Sequence, residues 1–225
     1  VIDDLKRAAA QAAVAEITDG MLVGLGTGST ASHAIDALAQ RVRQGLMVRA
    51  VATSQRTALH AARTGLILLD MADVGRIDLC IDGVDEIDPS LRAIKGAGGA
   101  MLREKIVASA ADRMIAIADG SKAVVTLGAR PVPAEVLPVA HAFVAARLEA
   151  LGYRPTLRRD ERGEPAVTDQ GNIILDCDLG AHDPAAMAAE MDGVPGLLGH
   201  GLFLREVDAL YLGTADGVTR TERPD

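Results

Sequence analysis

Aromatic residues are nearly absent from this 225-residue chain: it has two Phe, two Tyr and no Trp, 2% in all. That excludes the stacking platforms with which proteins hold exposed bases. The core must be aliphatic, because hydrophobic residues still make up 49% of the chain. Small aliphatic side chains favour buried parallel strands covered closely by Ala-rich helices. Cysteine is scarce too. Cys80 and Cys177 each sit alone in an apolar, strand-like run, which reads as two buried thiols of a cytosolic protein rather than a disulfide. Basic runs are missing and the net charge is −8, which argues against nucleic acid as a partner. A small anion is still allowed, since a few local donors outweigh a weak long-range field. No apolar run is long enough to span a bilayer. The N-terminal stretch VIDDLKRAAAQAAVAEI is charged and reads as an amphipathic helix, not a secretory leader.

What is present is an alternation of short apolar runs with helical patterns. MLVGLG (21–26), VRAVATS (48–54), LILLD (66–70), Ile77 to Ile81 and RMIAIADGSK (113–122) read as strands or strand exits. Helices are expected over about Asp3 to Ile17, Ser32 to Arg43, 54–65 and after the glycines at 96–99. This order predicts right-handed βαβ crossovers and a Rossmann-like parallel sheet, with ligands bound outside the carboxyl ends of its strands. Near Pro131 the pattern changes to β-α-β-β-α-β, the order of a ferredoxin-like α+β unit. VDALYLG (207–213) then resembles a strand of the first kind. The expected division is an α/β catalytic domain, 1–130 plus 203–225, carrying a smaller inserted α+β domain at 131–202.

Three loops after strands carry groups suited to chemistry. GLGTGST (24–30) brings glycines and hydroxyls to a helix N-terminus, as an anion site requires, although it is neither a P-loop nor a dinucleotide fingerprint. The plainer reading is a tight turn with Ser/Thr capping. IDGVDEID (81–88) places Asp82 and Asp85 around Gly83 and Val84 after an apolar strand. Asp82 should therefore lie near the interior and need a partner; the alternatives are a solvated turn or a divalent-metal loop. KGAGGAMLREK (95–105) is the most informative: Lys95 opens a loop of Gly96, Gly98 and Gly99, and Glu104 follows on the next helix among Met101, Leu102, Ile106 and Val107. Desolvation there would raise the Glu104 pKa and suit it to general-base work, with Arg103 and Lys105 acting in the opposite sense. Otherwise Glu104 is a surface residue paired along its helix.

Together GLGTGST, TSQRT (53–57), DGVDEID, KGAGGAMLREKIV, DRMIAIADGSK and GLFLREVDALYLGTADGV (201–218) resemble, in order, the A-type ribose-5-phosphate isomerases. The resemblance implies a metal-independent, cofactor-free aldose–ketose isomerase of the pentose phosphate pathway, working through an enediolate as a cytoplasmic homodimer or homotetramer. By position it makes Glu104 the proton-transferring base and puts Asp82, Asp85 and Lys95 around the sugar. Thr27, Gly28, Ser29 and Thr30 would hold the phosphate, with Gly83, Val84, Gly96, Ala97 and Gly98 as walls and Lys122 and Lys6 as further charges. Ala97 and Val84 stand where the family often has Gly and Ala. Neither change removes a chemical group, and Ala97 is a problem only if the loop demands a positive φ there.

Overall fold

Apolar runs of four to six residues pair as the alternation requires. The computed structural model describes residues 1–224. In chain order the elements are α1 (Ile2–Val14), β1 (Leu22–Leu25), α2 (Ser29–Arg43), β2 (Arg49–Ala52), α3 (Gln55–Arg63), β3 (Leu79–Gly83), β4 (Glu86–Ile87), β5 (Ala93–Ile94), α4 (Met101–Ala110) and β6 (Met114–Asp119). They continue with β7 (Val132–Val136), α5 (His141–Ala150), β8 (Thr156–Leu157), β9 (Ile173–Cys177), α6 (Pro184–Asp192), β10 (Leu197–His200), β11 (Leu202–Phe203), β12 (Ala209–Thr214) and β13 (Gly217–Glu222).

The main sheet has the order β13-β12-β6-β3-β1-β2. Five strands are parallel, and β13 closes one edge by pairing antiparallel with β12. That hairpin departs from the all-parallel expectation. Its signal is the Asp216-Gly217 dipeptide, with Gly217 at φ 120°. The run at 66–70 yields only a bridge from Leu68 to Ala50, because Asp70 caps a short 3₁₀ turn instead. α1 and α2 pack Ala9, Ala13, Ile35 and Leu38 on one side of the sheet, and α4 packs Val107 and Ala108 on the other. Small residues set these distances. A Cβ on Gly213 would lie 2.2 Å from the Leu5 carbonyl, so only glycine lets α1 lie this close to β12 and bring Lys6 to the sheet's carboxyl edge.

The second sheet, antiparallel with the order β10-β7-β9-β8, follows the ferredoxin-like arrangement. α5 and α6 cover one face through Val144, Leu148, Met187 and Met191. The opposite face turns Pro133, Ile174 and Asp176 toward the glycine loop after β5. A small sheet, β11-β5-β4, joins the two parts. Among the described residues no helix is long and apolar enough to cross a membrane.

Candidate active site

Four loops meet at the carboxyl edge of the main sheet. They line a cavity of about 120 Å³ with Lys6, Thr27, Gly28, Ser29, Thr30, Gly83, Val84, Asp85, Lys95, Gly96, Ala97, Gly98, Glu104 and Lys122. Every sequence-predicted site residue is in this set except Asp82, which lies fully buried beneath the floor.

At the outer end, Gly28 turns the chain at φ 111° and α2 begins at once, at Ser29 rather than Ser32. No side chain caps α2, so its first N–H groups are left to an anion. Lys6 donates to Ser29 Oγ at 3.0 Å. Lys122 follows Asp119, whose Oδ1 accepts from Ser121 N at 3.0 Å and from the Ser121 hydroxyl. Burial alone would raise the Asp119 pKa, but these hydrogen bonds and the nearby Lys6 and Lys122 hold it below the usual carboxylate range.

Thr27 is placed differently from a simple phosphate ligand. Its N–H donates to Asp82 Oδ1 at 3.0 Å, and its Oγ1 lies 2.8 Å from the hydroxyls of Thr53 and Ser54 and 3.1 Å from that of Thr57. Thr57 in turn donates to the Gly26 carbonyl at 2.8 Å. This hydroxyl cluster was missed as part of the site, although TSQRT stood out as a motif. It buttresses the turn from behind.

The inner end is a buried charge cluster. Lys95 Nζ lies 3.0 Å from Asp82 Oδ2 and 3.3 Å from Glu104 Oε2, and it donates to the Gly83 carbonyl. Lys95, Asp82 and Glu104 are 2%, 0% and 4% exposed, so a helix-surface reading of Glu104 fails. Asp82 Oδ1 also accepts from Gly83 N at 2.7 Å. A Cβ on Gly26 would fall 2.0 Å from that oxygen, so glycine there makes the room for Asp82. Asp82 Oδ2 and Glu104 Oε2 accept no hydrogen bond among the described residues, although both are in ion-pair contact with Nζ.

Burial opposes the Lys95 ammonium, but Asp82 and Glu104 overcome it and hold the lysine pKa above its ordinary value. Burial raises Glu104 to about 8; Lys95 pulls it down and the Asp82 charge pushes it up. Burial likewise raises Asp82 against the pull of Lys95. Arg103 and Lys105 do not counter this. Arg103 lies near the Ala52 carbonyl at 3.4 Å and Asp169 at 3.8 Å, while Lys105 donates to the Leu202 carbonyl and sits 3.7 Å from Glu206. The arrangement provides a base of raised pKa, a fixed cation and, across the cavity, an anion seat.

Asp85 is half-buried at the wall, with Oδ2 accepting from Ala97 N at 2.8 Å. Ala97 is not among the residues with positive φ, so the loop tolerates alanine there. Gly96 is different: at φ 102°, its Cβ would meet Met101 at 2.6 Å and Pro133 at 2.8 Å. Among the described residues no group of three or more His, Cys, Asp or Glu is arranged to hold a metal ion.

Comparison with known proteins gives one consistent answer. The family described as ribose 5-phosphate isomerase A (phosphoriboisomerase A) matches residues 49–217. A ribose-5-phosphate isomerase A of Sphingopyxis alaskensis is 51% identical over 95% of this chain and 93% of its own. One from Haloarcula marismortui is 48% identical over 96% and 95%. Among solved structures, the enzyme of Methanocaldococcus jannaschii superposes with a TM-score of 0.93 at 35% identity, covering 97% of this chain and 98% of the other. A D-ribose-5-phosphate isomerase in complex with phospho-erythronic acid reaches a TM-score of 0.95 at 34% identity, covering 99% and 100%.

Proposed function

The chain belongs to the ribose 5-phosphate isomerase A family, and from that premise we propose how its residues interconvert D-ribose 5-phosphate and D-ribulose 5-phosphate. The observation that carries the reading is Lys95 held between Asp82 and Glu104 at the closed end of a cavity whose open end carries Lys6, Ser29 and Lys122. The phosphate sits against the start of α2 with Ser29, Thr30, Lys6 and Lys122, and the sugar runs inward past Gly28, Gly83, Val84 and the Gly96–Gly98 wall. Glu104 takes the proton from C2 as a carboxylate and returns it to C1. Lys95 stabilises the oxyanion of the enediolate, an interaction stronger in the transition state than in the ground state. Asp85, on the wall, serves the hydroxyl protons and the opening of the furanose ring. Asp82, beneath the floor, fixes Lys95 and the backbone of Thr27 and Gly83. The reaction has no net redox change, so the scheme uses no nicotinamide, and with Lys95 carrying the charge it uses no metal.

We further assign 1–130 plus 203–225 to the catalytic domain and 131–202 to the inserted α+β domain. Assembly as a homodimer or homotetramer is supported by exposed apolar side chains on the inserted domain, Val139, Phe143 and Leu198. A cytoplasmic location is supported by two buried free thiols. The functional test adds ribose 5-phosphate in the presence of a chelator and follows ribulose 5-phosphate. Product supports the isomerase; binding without product would favour a sugar-phosphate sensor.

A further inference from the structure

Pro133 and Ile174 of the inserted domain pack near the glycine loop, and Arg158 adds hydrogen bonds to it. Arg158 follows β8, and its Nε donates to Asp176 Oδ2 at 2.8 Å while Nη2 reaches the other carboxylate oxygen. This forked pair orients the guanidinium. The remaining nitrogen, Nη1, donates to the carbonyls of Gly96 at 2.9 Å and Ala97 at 3.2 Å. A trans peptide points its C=O and N–H in opposite directions. Pulling these two carbonyls toward Arg158 therefore turns the N–H groups of Ala97 and Gly98 the other way. The first meets Asp85, as observed at 2.8 Å. The second, Gly98 N–H, has no backbone acceptor among the described residues, and Gly98 lines the cavity.

We propose that Arg158 is a positioning residue through which the inserted domain aims the Gly98 N–H, together with the Asp85 carboxylate, at the reacting end of the sugar. The inference rests on the isomerase reading above. Glycine alone would leave this loop loose, because the flanking Gly96 and Gly99 both adopt positive φ and carry no side chain to anchor it. Arg158 supplies that anchor from outside the catalytic domain. Arg158 itself does not line the cavity.

The experiment compares Arg158→Met, Arg158→Lys and Asp176→Asn with the parent chain, measuring kcat, KM, and the affinities for phospho-erythronic acid and inorganic phosphate. Methionine removes both carbonyl contacts, and lysine keeps the charge but lacks the fork. The expected result for Arg158→Met is a fall in kcat of about 10- to 100-fold, the scale of a misplaced site wall, with little change in KM. Phospho-erythronic acid should bind about tenfold more weakly, while inorganic phosphate, held at the far end, changes less than about twofold. Arg158→Lys and Asp176→Asn should show the same pattern in reduced size. Parent-like turnover in Arg158→Met, or equal losses for the two ligands, overturns the proposal. If Arg158→Met does not fold, Arg158→Lys decides by the same ligand contrast. A parent chain that fails to isomerise ribose 5-phosphate would instead sink the functional reading, and the binding contrast is read independently of it.

Discussion

At the inner end of the cavity, Lys95 is 2% exposed and is gripped by two carboxylates and a carbonyl. At the outer end, Lys6 and Lys122 are half-buried, and Lys6 meets the site through a single hydroxyl. The same residue type therefore does two kinds of work. Buried charges are fixed in place, strongly coupled and shifted in pKa; half-solvated ones are adaptable and screened by salt. Chemistry that needs an exact charge at an exact atom belongs to the first environment. Capture of a mobile dianion belongs to the second.

Glu104→Gln is the sharpest way to break this contrast. The amide keeps the shape but cannot take a proton. Turnover should fall by roughly two to four powers of ten with KM little altered, the scale of general-base catalysis. Near-normal turnover in steady-state kinetics would remove Glu104 from the mechanism. Lys95→Met should be the most damaging to stability, because it leaves Asp82 and Glu104 buried without their cation. Unfolding in urea should show a loss of about 3–5 kcal/mol near neutral pH, tempered where Glu104 takes up a proton.

The inner end should also report itself through pH. Glu104 is needed as a carboxylate, so kcat/KM should rise with pH up to its value of about 8. A phosphate monoester contributes its own limb near about 6, which belongs to the outer end and should survive in Glu104→Gln. Stability should move the other way. The folded chain holds the Glu104 proton more tightly than the unfolded chain, whose carboxyl titrates near 4.5, so between that value and about 8 stability falls as pH rises. Urea midpoints across this window should slope downward, and Glu104→Gln should flatten the Glu104 part of the slope. An activity limb near 4 to 5 would show that the carboxylate is ordinary in solution.

The two ends were not equally legible in the sequence. The fold showed itself through period: apolar runs separated by helical spacing specify crossovers, and a β-α-β-β-α-β order specifies the inserted unit. The placement of Glu104 could be suspected from its apolar neighbours, but its burial depends on Lys95, which reaches it from the other side of a glycine loop. Nothing local says that Arg103 and Lys105 turn away toward Asp169 and Glu206. Arg158 was illegible, since its partners lie 18 and more than 60 positions distant. The β12–β13 hairpin was readable from Asp216-Gly217, but its strand is exposed throughout and lacks an apolar pattern. The general lesson is that periodic burial is written along the chain, whereas contacts closed by tertiary packing are not.

The outer end should respond more gently. Lys6→Ala or Lys122→Ala should raise KM by about tenfold and leave kcat nearly unchanged, since each removes ground-state binding to a charged group. The effect should shrink as salt is added, because both lysines are partly solvated. A fall in kcat at saturating substrate would mean that the phosphate end also sets the geometry at C1 and C2, and the division of labour would fail.

The smallest expected effect tests whether the hydroxyl cluster belongs to either end. Thr57→Val keeps the shape of the side chain and removes the hydroxyl that donates to the Gly26 carbonyl at 2.8 Å and lies 3.1 Å from Thr27 Oγ1. The same hydroxyl accepts from Ser54 Oγ at 3.0 Å, so losing these buried hydrogen bonds should cost about 1–3 kcal/mol of stability. If the cluster only supports the turn from behind, KM and kcat should each change less than about threefold. A larger rise in KM, with stability lowered by no more than that, would place the cluster in the phosphate seat. A larger fall in kcat would tie it to the inner end, because Thr27 reaches Asp82 through its N–H at 3.0 Å and Asp82 holds Lys95. The hydroxyls thus stand behind Thr27, where the turn before α2 meets Asp82, and Thr57→Val measures how far the fixed end depends on the adaptable one.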